Sequence, residues 1–105
     1  MLDKKISFSG FKLEFSEREK VNELIERYLR KIEDRLSDYE DIKLRLKKSK
    51  HGKAFLHEVE GDIIIKGKIL TSKCTDYNLY TALSKVFEKM IREIEHMRRL
   101  PKEIK

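Results

Sequence analysis

Residues 41–48 read DIKLRLKK, and the alternation of apolar and charged side chains in this stretch decides the fold. Apolar residues occupy every second position from Ile42 to Leu46, and cations stand between them and directly after them. Period-two alternation is typical of a strand with one buried face. The side chains of Lys43, Arg45 and Lys47 are therefore predicted to point away from the core, towards solvent.

The cationic run continues beyond this strand. Lys48, Lys50 and Lys53 bring the number of cations between positions 43 and 53 to six, and no carboxylate interrupts them. A concentrated positive surface on a small domain favours a polyanionic partner, most often nucleic acid. An exposed basic strand can also serve only to prevent edge-to-edge aggregation. The residues alone leave these two interpretations open.

The segment before the basic strand predicts a strand followed by a helix. Ile6 and Phe8 alternate with serines and indicate a short strand that is interrupted at Gly10. The S-x-x-E sequence at residues 16–19 is typical of a capping box, which begins a helix. Apolar residues then recur at helical spacing to about Leu36, which indicates an amphipathic helix.

Two more strands and a second helix are predicted after the basic strand. The first strand spans about residues 54–66, with Gly61 as a bulge or bend, and the second spans about 69–75. Asp76 is predicted to cap a helix whose apolar residues recur from Leu79 to Met97. The order β-α-β-β-β-α predicts a two-layer α+β domain, a four-stranded sheet with both helices on one face. The first helix is a crossover, so neighbouring strands joined by it are expected to be parallel.

Composition predicts one soluble domain. The chain of 105 residues suffices for a single core, so residues 1–105 are predicted to form one domain. The formal net charge of +6 favours acidic partners, and no apolar run is long enough to span a membrane. The protein is therefore predicted to be cytoplasmic. The single cysteine, Cys74, excludes an internal disulfide and is predicted to be a small packing residue.

Catalysis and cofactor binding find no support in the sequence. His57 and Glu58 begin an H-E-x-x-H pattern, but Gly61 occupies the position of the second histidine. The stretch from Gly61 to Gly67 has the wrong spacing for a phosphate-binding loop, and Ile69 replaces the required Ser or Thr. The sequence therefore predicts a protein that is not an enzyme and needs no cofactor, metal or small-molecule substrate.

Two segments stand out, ISFSGFKLEFS at residues 6–16 and TDYNLYTALSKVFEKMIREI at residues 75–94. Together with the element order, they resemble the family of ribosome hibernation-promoting factors and protein Y. The resemblance extends to about Arg98. The chain departs from the family pattern at Phe11, where arginine is usual, and at His96, where lysine is frequent. Its third strand is also longer and carries Glu58, Glu60 and Asp62, which dilute any basic surface there. The residues that fit the family pattern are Ile6, Phe8, Gly10, Leu13, Ser16, Leu79, Tyr80, Ala82, Leu83, Lys89 and Arg92.

The resemblance implies a protein that occupies the decoding region of the small ribosomal subunit and inhibits translation under stress. In that family, cations contact rRNA phosphates, and such contacts give affinity without reading bases. A short-form member without the family's C-terminal dimerisation domain is also implied, and it is expected to be a monomer or a weak dimer. The residues expected to bind RNA are Lys43, Arg45, Lys47, Lys48, Lys50, Lys53, Lys85, Lys89, Arg92, Arg98 and Arg99.

Two other functions stay open at this point. A general double-stranded-RNA-binding protein also stacks helices on one face of a sheet. A protein-interaction module without an RNA role would use the long third strand as an exposed edge. Lys85, Lys89 and Arg92 share one helix face, although neighbouring glutamates explain part of this pattern by ion pairing. Phe11 and Tyr80 are predicted to pack against the core rather than to stack on RNA bases.

Overall fold

The computed structural model describes residues 6–36 and 39–99, which contain four strands and two helices in the predicted order. The strands form one mixed sheet in the order β1-β2-β3-β4. The prediction that the third strand offers an exposed edge is wrong, because β3 pairs with β2 on one side and with β4 on the other. β1 pairs parallel to β2, and the other neighbours are antiparallel. The predicted α+β class and the parallel crossover are thereby confirmed. The elements are β1 (Ile6–Ser9), α1 (Phe15–Arg35), β2 (Asp41–His51), β3 (Ala54–Ile65), β4 (Lys68–Asp76) and α2 (Leu79–Arg99).

Both helices lie on the same face of the sheet, as predicted, and bury its apolar side. Burial fixes the faces of β2, because a slip by one residue would expose every apolar side chain of that strand. The buried hydrophobic residues of the sheet are Ile42, Leu44, Leu46, Val59, Ile63 and Ile65. The helix residues that meet them in one core are Val21, Ile25, Tyr28, Leu29, Ile32, Leu79, Ala82, Leu83, Val86, Phe87, Met90 and Ile94.

α2 approaches the middle of the sheet closely because two small residues leave room for it. A Cβ atom on Gly61 would lie 2.5 Å from Cε of Met90 and 2.9 Å from Cγ1 of Val86. On the next strand, the hydroxyl of Ser72 donates a hydrogen bond to the carbonyl of Val86 at 2.9 Å. The row Leu44–Gly61–Ser72 is continuous in both ladders, so the predicted bulge at Gly61 is wrong. Gly61 instead permits the close packing of a helix on the sheet.

The helix starts differ from the predicted capping residues. At the start of α1, the carboxylate of Glu17 accepts a hydrogen bond from the backbone N–H of Glu14 at 3.2 Å. The S-x-x-E sequence therefore lies inside the first turn rather than at the cap. At the start of α2, Oδ1 of Asn78 accepts a hydrogen bond from the N–H of Thr81 at 2.9 Å. Asp76 holds the N–H of Asn78 instead, so Asn78 is the capping residue.

Polar contacts join the two helices beside the shared core. The hydroxyl of Tyr28 donates to Glu88 at 3.0 Å, and its ring stacks on Phe87 with 5.2 Å between the centroids. Burial raises the pKa of Tyr28, which keeps the hydroxyl protonated and able to donate. Arg35 forms an ion pair with Glu95 at 2.7 Å. Over residues 6–36 and 39–99, neither helix is long and apolar enough to cross a membrane.

Candidate nucleic-acid interface

The face of the sheet opposite the helices carries a ladder of opposite charges, referred to below as the charge ladder. Its cations lie on β2, and each stands directly across from a carboxylate of β3. The pairs are Lys43–Asp62, Arg45–Glu60 and Lys47–Glu58. Cations and carboxylates alternate between strands because both sets occupy the face that the core does not use. The predicted outward orientation of the basic stripe is confirmed, but the stripe is compensated by its neighbour.

Ion pairs tie the charge ladder together across three strands. The guanidinium of Arg45 lies 3.2 Å from Glu60 and 3.3 Å from Asp62, and the hydrogen bond with Glu60 raises the pKa of Arg45. Lys73 of β4 lies 3.0 Å from Glu58. Their hydrogen bond lowers the pKa of Glu58 and raises that of Lys73. With Lys73 included, the ladder has four cations and three carboxylates, which leaves a single net positive charge.

The end of the β2–β3 hairpin has a different electrostatic character. Lys48 and Lys50 occupy even positions of β2, on the helix side of the sheet, and are exposed there. Lys53 lies in the turn between the strands. The ammonium of Lys48 lies 5.6 Å from the ring centroid of Phe55, which is a cation–π contact. Among the ion pairs between described residues, none includes these three lysines, so no direct ion pair neutralises the charge of the hairpin end.

The cations of α2 form a third group. Lys85, Lys89 and Arg92 are exposed and share one helix face. The ammonium of Lys89 donates to the backbone carbonyl of Lys73 at 2.8 Å, so this side chain covers part of the outer edge of β4. The predicted sites Arg98 and Arg99 close the helix, but their side chains lie outside the described residues. The structure therefore places the predicted cations in three locations: the charge ladder, the hairpin end and α2.

Two features of this surface are not foreseen by the sequence reasoning. The first is the pairing of each cation of β2 with an acid of β3: the sequence indicates that Glu58, Glu60 and Asp62 dilute the basic surface of the third strand, but not that they stand opposite these cations. The second is the exposed aromatic ring of Phe55 beside Lys48. Its signal is the apolar run Ala-Phe-Leu at residues 54–56, which breaks alternation where the strand leaves the turn.

The predicted packing residues have the expected environments. Phe11, Tyr80 and Cys74 are partly buried and pack against the core. Phe11 also contacts Phe8 edge to face, with 5.4 Å between ring centroids. The ammonium of Lys20 lies 5.8 Å from the ring of Tyr80, and burial raises the pKa of that tyrosine. Across the part of the chain that the structure describes, no cluster of His, Cys, Asp or Glu is arranged to hold a metal ion.

Several solved structures share the fold of this chain. A ribosomal subunit interface protein from Coxiella burnetii superposes with a TM-score of 0.70 and 15% sequence identity, covering 90% of this chain and 98% of that chain. The Protein Y N-terminal domain of Thermus thermophilus gives a TM-score of 0.59 and 20% identity, covering 90% of this chain and 100% of that chain. At these identities the similarity shows the fold. No curated protein sequence matches the chain.

A family model identifies the chain more directly than these structures do. The model described as sigma 54 modulation protein / S30EA ribosomal protein matches residues 6–100. This range contains all six elements of the fold and both segments that carry the resemblance to hibernation-promoting factors and protein Y. That resemblance is thereby confirmed. The chain belongs to the family of sigma 54 modulation proteins and S30EA ribosomal proteins.

Proposed function

We propose that this protein binds the small ribosomal subunit, occupies its decoding region and inhibits translation under stress, without an enzymatic step. The observation that carries the proposal is the family match over residues 6–100. The structural neighbour from Coxiella burnetii is described as a ribosomal subunit interface protein, which supports a ribosomal partner. The proposed setting is the cytoplasm, where translating ribosomes would meet the protein.

The proposed contacts join exposed cations to rRNA phosphates. The hairpin end and α2 are the strongest candidates, because phosphates reach their cations without displacing a carboxylate. The charge ladder contributes less, since a phosphate that approaches Arg45 competes with Glu60 and Asp62. Arg98 and Arg99 stay in the proposal as cations that close α2. The cations of the two leading groups are Lys48, Lys50, Lys53, Lys85, Lys89 and Arg92.

Salt dependence measures how many phosphates are neutralised. If about six to eight cations each meet one phosphate, log affinity falls with log salt at a slope of about −4 to −7. General attraction of a basic protein to RNA predicts a similar slope. The two cases differ in selectivity, because a factor shaped for a preformed channel prefers assembled small subunits over free RNA.

The test is a competition experiment at fixed salt. Labelled protein bound to small subunits is challenged with an excess of unstructured RNA or duplex RNA. We expect neither competitor to displace it. Displacement by either competitor would contradict the proposal, and displacement by duplex RNA would favour a general double-stranded-RNA-binding protein. If the protein binds neither small subunits nor RNA, the remaining alternative is a protein-interaction module.

Matched variants locate the contact surface. The double variant Lys85→Gln/Arg92→Gln removes two exposed charges from α2, and Arg27→Gln/Arg30→Gln removes two exposed charges from α1. We expect only the α2 variant to weaken subunit binding and to reduce the salt slope by about 0.7–0.9 per lost phosphate contact. Equal effects of both variants would show that net charge, and not a defined surface, holds the protein on the subunit.

A further inference from the structure

A groove lies where the β2–β3 hairpin end faces the start of α1. Phe11, Lys12 and Arg18 line one wall, and Lys48 and Phe55 line the other. Its volume of about 980 Å³ lies within the range of roughly 300–1,000 Å³ that is common for small-ligand sites. The groove is on the helix side of the sheet, so it is separate from the charge ladder.

The aromatic part of the groove is solvent-accessible and fixed in position. Phe55 is 48% exposed, although it lies on the same face of β3 as Val59 and Ile63, which are buried in the core. Its ring carries the ammonium of Lys48 at 5.6 Å. Phe11 on the facing wall is held edge to face by Phe8 and packs against the core behind it. A flat molecule entering the groove therefore meets an ordered aromatic surface.

The groove lining favours an anion by one charge, because its three cations outnumber its two carboxylates. The guanidinium of Arg18 is held by the carbonyl of Leu13 at 3.2 Å, which orients the cation on the groove wall. Glu14 and Glu17 supply the two carboxylates of the lining, and that of Glu17 accepts a hydrogen bond from the N–H of Glu14 at 3.2 Å. Lys12 and Lys48 add two exposed ammonium groups to the lining.

The surroundings strengthen this preference. Residues 47–57 contain four lysines and two histidines and no carboxylate. Lys50 and Lys53 extend the positive surface from the groove towards the turn of the hairpin. A charged chain that follows this surface would pass Phe55 on its way. Cations that track a backbone beside an aromatic ring that stacks on bases are the combination found in proteins that bind single-stranded nucleic acid.

We propose that this groove binds an unpaired nucleotide of single-stranded RNA. The base stacks on Phe55, and Lys12, Arg18 and Lys48 contact the adjoining phosphates. The contact depends on the base as well as on charge, which distinguishes it from the phosphate contacts of the proposed function. It does not require an assembled ribosomal subunit, because both walls belong to this chain. Stacking of this kind tolerates any base sequence, since every base has a π face.

The test uses a fluorescein-labelled RNA of about eight nucleotides, within the site size of single-strand binders, and an abasic oligonucleotide of equal length and charge. Fluorescence anisotropy at fixed salt gives both affinities. We expect the wild-type protein to bind the abasic strand about 5- to 100-fold more weakly than the intact RNA. The variant Phe55→Leu keeps an apolar side chain but lacks the ring, so it should lose this difference.

Phe15→Leu is the matched control, because Phe15 is 72% exposed and lies outside the groove lining. It should retain the preference for intact RNA, and circular dichroism melting should show that both variants are folded. Equal affinity of the wild type for intact and abasic strands would overturn the proposal. An equal loss of the preference for intact RNA in Phe55→Leu and Phe15→Leu would also overturn it. So would displacement of the RNA by polyglutamate at matched charge. Since the assay contains no ribosomes, its failure is distinguishable from failure of the proposed function.

Discussion

Arg45 on β2 lies directly opposite Glu60 on β3, with 3.2 Å between the guanidinium and the carboxylate. The same guanidinium reaches Asp62, the next carboxylate on that face, at 3.3 Å. Arg45 therefore stabilises the sheet through two ion pairs, and any partner that contacts Arg45 has to compete with them. Variants of the charge ladder change the stability of the fold as well as the charge of the surface, and both effects have to be measured.

Reversing the charge of Arg45 tests the cohesion of the ladder. We expect Arg45→Glu to lower the urea midpoint of unfolding, because it places a carboxylate opposite Glu60 and beside Asp62, and like charges across a ladder destabilise it. The double variant Arg45→Glu/Glu60→Arg exchanges the partners and should recover most of the loss. If the double variant is as unstable as the single one, the ladder does not hold the strands through charge.

The ion pair of Glu58 and Lys73 gives the ladder a pH dependence. Because the hydrogen bond with Lys73 lowers the pKa of Glu58, the stabilising contribution of this carboxylate is present above its ordinary pKa. It is lost as the pH falls through the lowered value of the folded state. We expect Lys73→Met to raise the pKa of Glu58 in an NMR titration of carboxyl carbons. Lys68→Met, a change on the same strand beside Ile65, should leave that pKa unchanged.

Gly61 tests how closely α2 packs on the sheet. A side chain at this position meets Met90, Val86 and Leu44, and the added volume forces these residues apart. We expect Gly61→Val to reduce the free energy of unfolding by about 1–3 kcal/mol, measured by urea denaturation. Gly61→Ala should cost less, since the flexible end of Met90 can move away from one methyl group. A gain of stability in Gly61→Val would show that α2 does not pack tightly on β3.

Tyr28 joins α1 to α2 through Glu88. We expect Tyr28→Phe to reduce the free energy of unfolding by about 1 kcal/mol at neutral pH, because it removes that hydrogen bond. Burial raises the pKa of Tyr28, so its contribution is complete below the ordinary tyrosine pKa and is lost as the pH rises through the value of the folded state. The wild type should therefore lose stability more steeply than the variant above that pH. If the free energies of unfolding of the wild type and of Tyr28→Phe fall equally at alkaline pH, this role of Tyr28 is contradicted.

The faces of the elements are predictable from the sequence because burial decides them. The alternation around Leu44 and the helical spacing of α1 and α2 each allow one orientation that hides the apolar side chains. Capping is less predictable, because two polar residues stand near the start of α2. Asp76 is still paired with His57 in the ladder, so the helix cannot begin until Asn78 takes the cap.

The register of the hairpin could not be derived from composition. The turn consists of Gly52 and Lys53, and β2 runs to His51, beyond the alternating stretch of residues 41–48. Only the observed turn gives the register in which Lys47 lies opposite Glu58 and the other cations of the charge ladder lie opposite their carboxylates. A shift of one residue would place these side chains on opposite faces. The arrangement of the charge ladder therefore depends on the position of a two-residue turn, which the periodicity of the sequence does not predict.

The parallel pairing of β1 with β2 determines the order in which the chain can assemble. Ile6 pairs with Ile42, thirty-six positions later, whereas β2, β3 and β4 follow one another through short turns. Contacts between distant segments form late because closing a long loop costs entropy. β1 has four residues, so its docking gains little and should reverse most readily. We expect its amide hydrogens to exchange with solvent before those of the meander. Each such opening would free Phe11 and Lys12, which follow Gly10, while Arg18 on α1 and the hairpin wall of the groove stay folded.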